Sequence, residues 1–338
     1  MATLIDGQVG IKKETTYGTP VTVDRFYEVL PDSTHDFDPM RIEGEGLKVG
    51  ATHKRADRAV AGVGKGELTI KVELISKSLG VLLEAICGSA AITNVSGATY
   101  QILGKADFTT ATRNSYTIQV GVPQSDASGT VSAFTYAGCV ATGFEIDAPD
   151  GGVPTLSVTF WSASLATATA LAAASYASSA TMFASGSGSA ATTLGGTITA
   201  PTTTALESGG TSSTNIRGWT LTGDLTANER PRLGGWQRPT AGGVSTTLKI
   251  VQDYDATTVR DLVISQASTS FTGYYTGAAL SAGTERFGVV IPAMKVQAGA
   301  FGQLTNGEGS TPEPTFDVFD NGTDEPWYIV MRTADTAL

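Results

Sequence analysis

The sequence predicts a mainly β protein built as two tandem β-sandwich or barrel domains, each with one small flanking α-helix and a long β-hairpin arm. Three observations carry this expectation. Polar and apolar residues alternate with a period of two along many short runs. Helical periodicity occurs in two places. The order strand, helix, strand recurs about 180 residues further on, the mark of an internal repeat.

The clearest strand covers residues 67–74 (ELTIKVEL). Leu68, Ile70, Val72 and Leu74 share one face, and Glu67, Lys71 and Glu73 share the other. A strand at 41–45 is expected before it. Further alternating runs cover 116–120, 139–146, 155–160, 219–225, 248–251, 287–296, 315–319 and 327–331. Asn321-Gly322, between two of these, signals a two-residue hairpin. The first helix is expected at 76–88, with Ser76 as N-cap, Leu79, Leu82, Leu83 and Ile86 on one face, and Gly88 ending it. The second is expected at 255–264, capped by Asp255, with Val259, Leu262 and Val263 on its face.

Residues 162–214 are nearly all Ala, Ser, Thr and Gly, and can bury little surface. They divide the chain into a first β domain (1–165), a linker or insertion (166–214) and a second β domain (215–338). A shift of 180 places Leu68 on Leu248, Ile70 on Ile250, Leu79 on Val259, Leu82 on Leu262 and Leu83 on Val263. A shift of 150 then places Ile146 on Val296 and Ala148 on Ala298, so the second half lacks about thirty residues after its helix.

Each half carries a long, glycine-bearing, partly basic segment before its strand and helix, at 47–66 and 227–243. The first contains KRADRAVAGVGKGE (54–67), which fails as a phosphate loop. Gly64-Lys65 is followed by Gly66 where a hydroxyl residue is needed, and Ala59 stands at the first glycine position. Both segments read instead as extended hairpin arms, and loops this long are functional or ordered by a partner. The candidate contact residues are Lys54, Arg55 and Arg58 in the first arm, and Arg230, Arg232, Trp236 and Arg238 in the second. Arg58 falls on Arg238 under the 180 shift. The expected partner is acidic surface on another copy of the chain.

Charged residues make up only 16% of the chain and the formal net charge is −10, which excludes a general nucleic-acid binder. No apolar run is long enough to span a bilayer, and the first ten residues lack the apolar core of a secretory signal. The two histidines, His35 and His53, form no H-x-x-H pair and stand near no G-x-S-x-G elbow. No metal, no cofactor and no catalytic site are therefore expected. Cys87 and Cys139 are expected to be buried free thiols.

Four passages together carry a family resemblance. They are the opening GIKKETTYGTP (10–20), residues 41–88 with KRADRAV leading into strand and helix, the stretch from TGDL (222–225) through Asn228-Glu229-Arg230 to Leu233-Gly234, and the ending 321–338 with its TADT. In these the chain resembles bacteriophage tail tube proteins, also called major tail proteins, of long-tailed phages. The resemblance implies a β-sandwich whose hairpin joins neighbours into rings, stacked into a tube that conducts genomic DNA to the host. Members with one such domain form hexameric rings, so a tandem pair implies three chains per ring with pseudo-sixfold symmetry. The implied partners are the chain itself and other tail proteins such as the tape measure, tail terminator and distal tail protein, in a virion assembled in the host cytoplasm. Two other classes stay open: a capsid-decorating or cell-surface β-sandwich adhesin, and an enzyme such as a glycosidase, which needs two carboxylates across a cleft.

If the hairpin strands line a bore, strand parity assigns Arg41, Glu43, Glu45, Glu67, Lys71, Glu73, Asp224, Lys249 and Asp253 to its wall. That is six acids against three bases. Such a wall repels the duplex at close range and lets DNA pass without specific binding.

Overall fold

A computed structural model of the chain describes residues 7–46, 48, 50, 52–109, 113–125, 129–186, 189–253, 257–297 and 312–338. The protein is mainly β, and every strand pairing is antiparallel. In the first half, β1 (Gln8–Lys13), β2 (Arg25–Tyr27), β3 (Thr34–Asp38), β4 (Ile42–Glu43), β5 (Ala59–Val60) and β6 (Lys65–Glu73) lead into α1 (Gly80–Cys87). A hairpin of β7 (Gly88–Ser96) and β8 (Thr99–Ala106) follows. Then come β9 (Tyr116–Pro123), the long β10 (Val131–Ala148), β11 (Thr155–Ser162) and β12 (Ser164–Ala166).

β10 serves two sheets. Its first part lies in the order β2–β1–β9–β10–β12, and its second in the order β3–β6–β11–β10. The change of sheet falls at irregularities between Tyr136 and Cys139 and between Ala141 and Gly143. Gly138 sits there at φ +68°, with its N–H bonded to the buried Glu14 carboxylate at 2.8 Å. A side chain at that φ is strained, so glycine permits the bend.

The second half holds β13 (Ala190–Leu194), β14 (Ile198–Thr199), β15 (Ser208–Gly209), β16 (Ser212–Ser213), β17 (Ile216–Asp224), β18 (Ala227–Arg232), β19 (Gly235–Ala241) and β20 (Ser245–Gln252). After α2 (Thr258–Ser265) come β21 (Thr269–Ala279), β22 (Thr284–Val296), β23 (Thr315–Val318) and β24 (Tyr328–Thr333). Here β22 is shared in the same way. One sheet runs β16–β13–β21–β22–β24, and the other runs β17–β20–β23–β22. The ladder order of the first half thus recurs strand for strand.

The halves join edge to edge, because β10 also pairs with β17. The result is one eight-stranded sheet, β3–β6–β11–β10–β17–β20–β23–β22. Val72, Leu156, Ile146, Leu221, Leu248, Phe316 and Val296 follow one another across seven of its strands, and all are buried. Burying this unbroken apolar row fixes the register, since a one-residue slip in any strand would turn its apolar set outward. A second junction comes from the β7–β8 hairpin, which lies in the stretch the second half lacks. Its β8 pairs with β24 and extends the other half's sheet.

Residues 166–214, expected to be a linker or insertion, hold ordered strands. They supply β13, β14, β15 and β16. Ile198, Ala200 and Leu206 cover the buried cluster of Leu103, Val290, Tyr328 and Val330 on the β8–β24–β22 sheet. Phe183 is buried against Phe287, with ring centroids 6.4 Å apart. Small residues suit a segment laid flat over an existing sheet, where backbone and threonine hydroxyls make the contacts.

Other expectations shift. Ser76 does not cap α1; the N-cap position is Leu79, and Ser76 is buried, accepting bonds from the Thr181 N–H and hydroxyl at 3.0 Å each. Leu79, Leu82, Leu83 and Ile86 are buried and Gly88 ends the helix at φ +77°. Asp255 lies outside the described residues, as do Leu47 and Ala298; the residue before α2 is Thr257, whose hydroxyl donates to Asp261 at 3.0 Å. The strand expected at 41–45 shrinks to β4, and β3 is the strand that precedes the first arm. Asn321-Gly322 makes a side-chain turn, its Asn321 carboxamide oxygen accepting the Thr323 and Asp324 N–H groups. β23 and β24 do not pair with each other there, because each has partners already in place. Cys87 and Cys139 are buried and unbonded.

His35 on β3 has Nδ1 2.9 Å from the Tyr136 hydroxyl and its ring 5.3 Å from that of Phe134. Burial holds its pKa below the ordinary 6.5, against the weaker opposing pull of Asp36. Protons then bind the unfolded chain more readily than the folded one. Stability is full above pH 6.5 and falls as pH drops through that value. His35→Gln is expected to flatten the loss of thermal stability between about pH 7 and pH 5; an unchanged slope would place the titration elsewhere.

Candidate assembly surfaces

Three surfaces stand out. The first is the outward face of the eight-stranded sheet. Lys71, Ser157, Glu145, Thr222, Thr247, Asp317 and Lys295 form a polar row beside the buried one. Period-2 geometry puts Glu67, Lys71, Glu73, Asp224 and Lys249 on this face, as parity predicted. Sequence reasoning missed Asp36, Asp38, Glu145, Asp147 and Asp317, together with Lys65 and Lys295. The strand of Asp36 and Asp38 was not assigned, and the assigned runs that hold Glu145, Asp317 and Lys295 carried no sign of which sheet they join. On these strands the face holds eight carboxylates and four lysines. Two of the lysines are held by acids off the face, Lys71 by Asp32 at 3.1 Å and Lys249 by Glu313 at 2.5 Å.

Arg41, Glu43, Glu45 and Asp253 do not join this face. Glu43 lies in β4, which pairs with β5 in a ladder separate from the main sheet, and both Arg41 and Lys54 pair with it. Asp253 follows the end of β20 beside Arg217, at 3.7 Å. The first arm leaves the sheet at Arg41, Glu43 and Glu45, and β20 ends before Asp253, so parity along the strand no longer decides where these side chains point.

The second surface comprises the arms. The first arm, residues 39–64, holds the β4–β5 pair. Its cations meet acids within the same arm: Lys54 meets Glu43, and Arg55 meets Asp57. Arg58 gives its carbonyl to the Gly44 N–H at 2.8 Å, and its side chain is exposed. Within the single chain, Lys54 and Arg55 thus have nearby carboxylates as partners. The second arm is the β18–β19 hairpin, which lies against the first half of its own chain. Glu229 meets Lys65 at 3.1 Å, and the Trp236 indole donates to the Gly64 carbonyl at 2.8 Å. Trp236 also stands edge-on to Trp161, with centroids 5.2 Å apart and planes at 87°. Arg238 donates to the Arg113 carbonyl at 2.5 Å. Trp236 and Arg238 are therefore contact residues within the chain. Arg230 is half-buried and Arg232 exposed.

The third surface is a groove of about 600 Å³ beside β3, with an apolar lining that includes Val29, Leu30, Pro31, Val120 and Val122. In the second half the matching place beside β17 is narrowed to about 390 Å³, with Ala148, Asp150 and Gly151 at the end of β10 among its lining.

β3 pairs with β6 on one side and has no strand on the other among the described residues. A bare edge beside an apolar groove is a template for another chain. These features define a β-structural protein with an unpaired sheet edge among its described residues. The chain belongs to the phage tail tube protein family, described as "Phage tail tube protein", which matches residues 5–317. No curated protein matches it. It is a structural protein of the phage tail, and this membership favours the tube over the adhesin and glycosidase readings. No helix among the described residues is long and apolar enough to cross a membrane.

Proposed function

We propose that the two halves are copies of one domain, and that three chains close head to tail into a ring of six copies. The first copy spans about residues 7–166 and the second about 189–333, a boundary earlier than composition implied. The observation that carries this reading is the β10–β17 ladder, in which the edge strand of one copy's sheet pairs with the opposite edge strand of the next copy's sheet. The same step taken between chains pairs the end of β22 with the bare edge of β3. The end of β22 then enters the groove at Val29 and Val122, as Ala148 lines the groove beside β17. A heterologous contact of this kind closes into a ring when the rotation permits.

Three sheets of this size give a barrel of about 24 strands. At a strand spacing of about 4.8 Å and a tilt near 40°, its backbone diameter is roughly 50 Å. The carboxylate-rich face lines the bore and the apolar row packs into the wall. DNA crosses such a bore without a binding site, because fixed phosphate contacts would have to break at every step. Rings then stack into the tube, and other tail components meet its two ends.

Electron microscopy of the assembled protein tests the reading, together with native mass measurement of single rings. Three chains per ring with sixfold-like projections are expected. Six whole chains per ring would overturn it.

A further inference from the structure

We infer that the first arm of one chain seats on a bare apolar site at Val244 and Phe319 in the second half of the chain that precedes it in the ring. This inference rests on the head-to-tail ring proposed above and names its second contact.

The second arm supplies the template, because it is already seated on the half that precedes it. What it covers is Trp161, which lies on the outward face of β11 yet is only 6% exposed. Its polar anchors are Gly64 and Lys65, at the start of β6. In the second half β23 replaces β11 and β20 replaces β6. Val244 and Ser245 stand where Gly64 and Lys65 stand under the 180 shift. Continuing the antiparallel count from Thr247 opposite Asp317 brings Phe319 opposite Ser245, beside Val244. Phe319 shares the outward parity of Thr315 and Asp317; the shift places Asp317 on Trp161, and Phe319 stands one outward position beyond it. These two side chains are uncovered: Phe319 is 47% exposed and Val244 37%.

The first arm carries a complementary surface. Ile42 and Val60 are direct cross-strand partners, and each is 59% exposed, with Met40 nearby also bare. An apolar pair held on a two-stranded ladder in water stabilises little unless something covers it. Charge agrees with the pairing. Residues 39–64 hold five bases against three acids, while Asp317 and Asp320 flank Phe319. The arm cannot use its own chain's site in a head-to-tail ring, because each arm covers the half before it. The first half of a chain has its predecessor in the neighbouring chain.

Paired cysteines in the full-length protein test this. Val60→Cys with Phe319→Cys, and Ile42→Cys with Phe319→Cys, are to be oxidised after assembly; Cys87 and Cys139 are buried and stay silent. At least one pair is expected to give covalent dimers and trimers on a non-reducing gel, with the linkage mapped between chains. Leu233→Cys with Phe319→Cys, at the tip of the other arm, is expected to give none. Phe319→Asp and Val60→Asp should each raise the concentration needed for assembly about tenfold, and together no further, since both remove one contact. Rings that form without either cross-link, or linkage confined to one chain, would overturn the arm contact and leave the ring standing. Absence of rings from the unaltered protein would overturn both.

Discussion

Gly223→Val is expected to break the joint between the two halves and to destabilise the fold strongly. Gly223 on β17 lies opposite Phe144 on β10, and the Phe144 ring occupies the space of a β-carbon there. A Cβ at Gly223 would stand 2.1 Å from Phe144 Cε1 and 2.6 Å from Cζ. The ring cannot swing away freely. It is buried, and its other side meets Trp327 at a centroid distance of 5.2 Å. Overpacking at such a place costs about 3 kcal/mol, and a β-branched side chain has no small rotamer to retreat to. Thermal unfolding should shift down by roughly 4 °C. Phe144→Ala alone leaves a cavity and costs about 3–5 kcal/mol. The double variant Gly223→Val with Phe144→Ala should be less destabilised than the sum of the two, because each change relieves the other. Additive losses would show that the ring and the glycine do not share that space.

Leu30→Asp combined with Val122→Asp is expected to leave a folded chain that forms no rings. Both side chains line the groove beside β3, and both are only partly buried in the single chain. Folding therefore loses little. Ring closure is different, because it would bury two carboxylates against apolar chain. The penalty is about 3 kcal/mol or more at each interface, a hundredfold or more in the association constant. Size-exclusion chromatography should show a monomer with unchanged far-ultraviolet circular dichroism. Rings that still close would move the inter-chain contact away from this groove.

Much of the strand and helix content was legible in the chain itself. The alternation from Glu67 to Leu74 predicts β6 and the face each side chain takes, because burying one face of a strand enforces a period of two. The repeat shift joined β6 with β20 and α1 with α2, since each copy needs the same apolar spacing. The arms were visible as long, glycine-bearing, basic segments between strands. Where those arms go was not legible. Trp236 reads the same in sequence whether it meets another chain or Gly64 and Trp161 of its own.

Local pattern determined which residues alternate, where two helices form and which family the chain resembles, because these depend on neighbours a few positions away. The tertiary structure alone decided the rest. Ser76 was taken from helix capping by Thr181, more than a hundred residues later. The Ala- and Thr-rich stretch at 166–214 became ordered strands because small side chains can lie flat on sheets built by others. Glu145 and Asp147 share a face with Glu67 through β11, and Asp317 joined them only when β10–β17 pairing made two sheets into one. Pairing between strands distant in sequence is set by edges and registers that no short window of residues encodes.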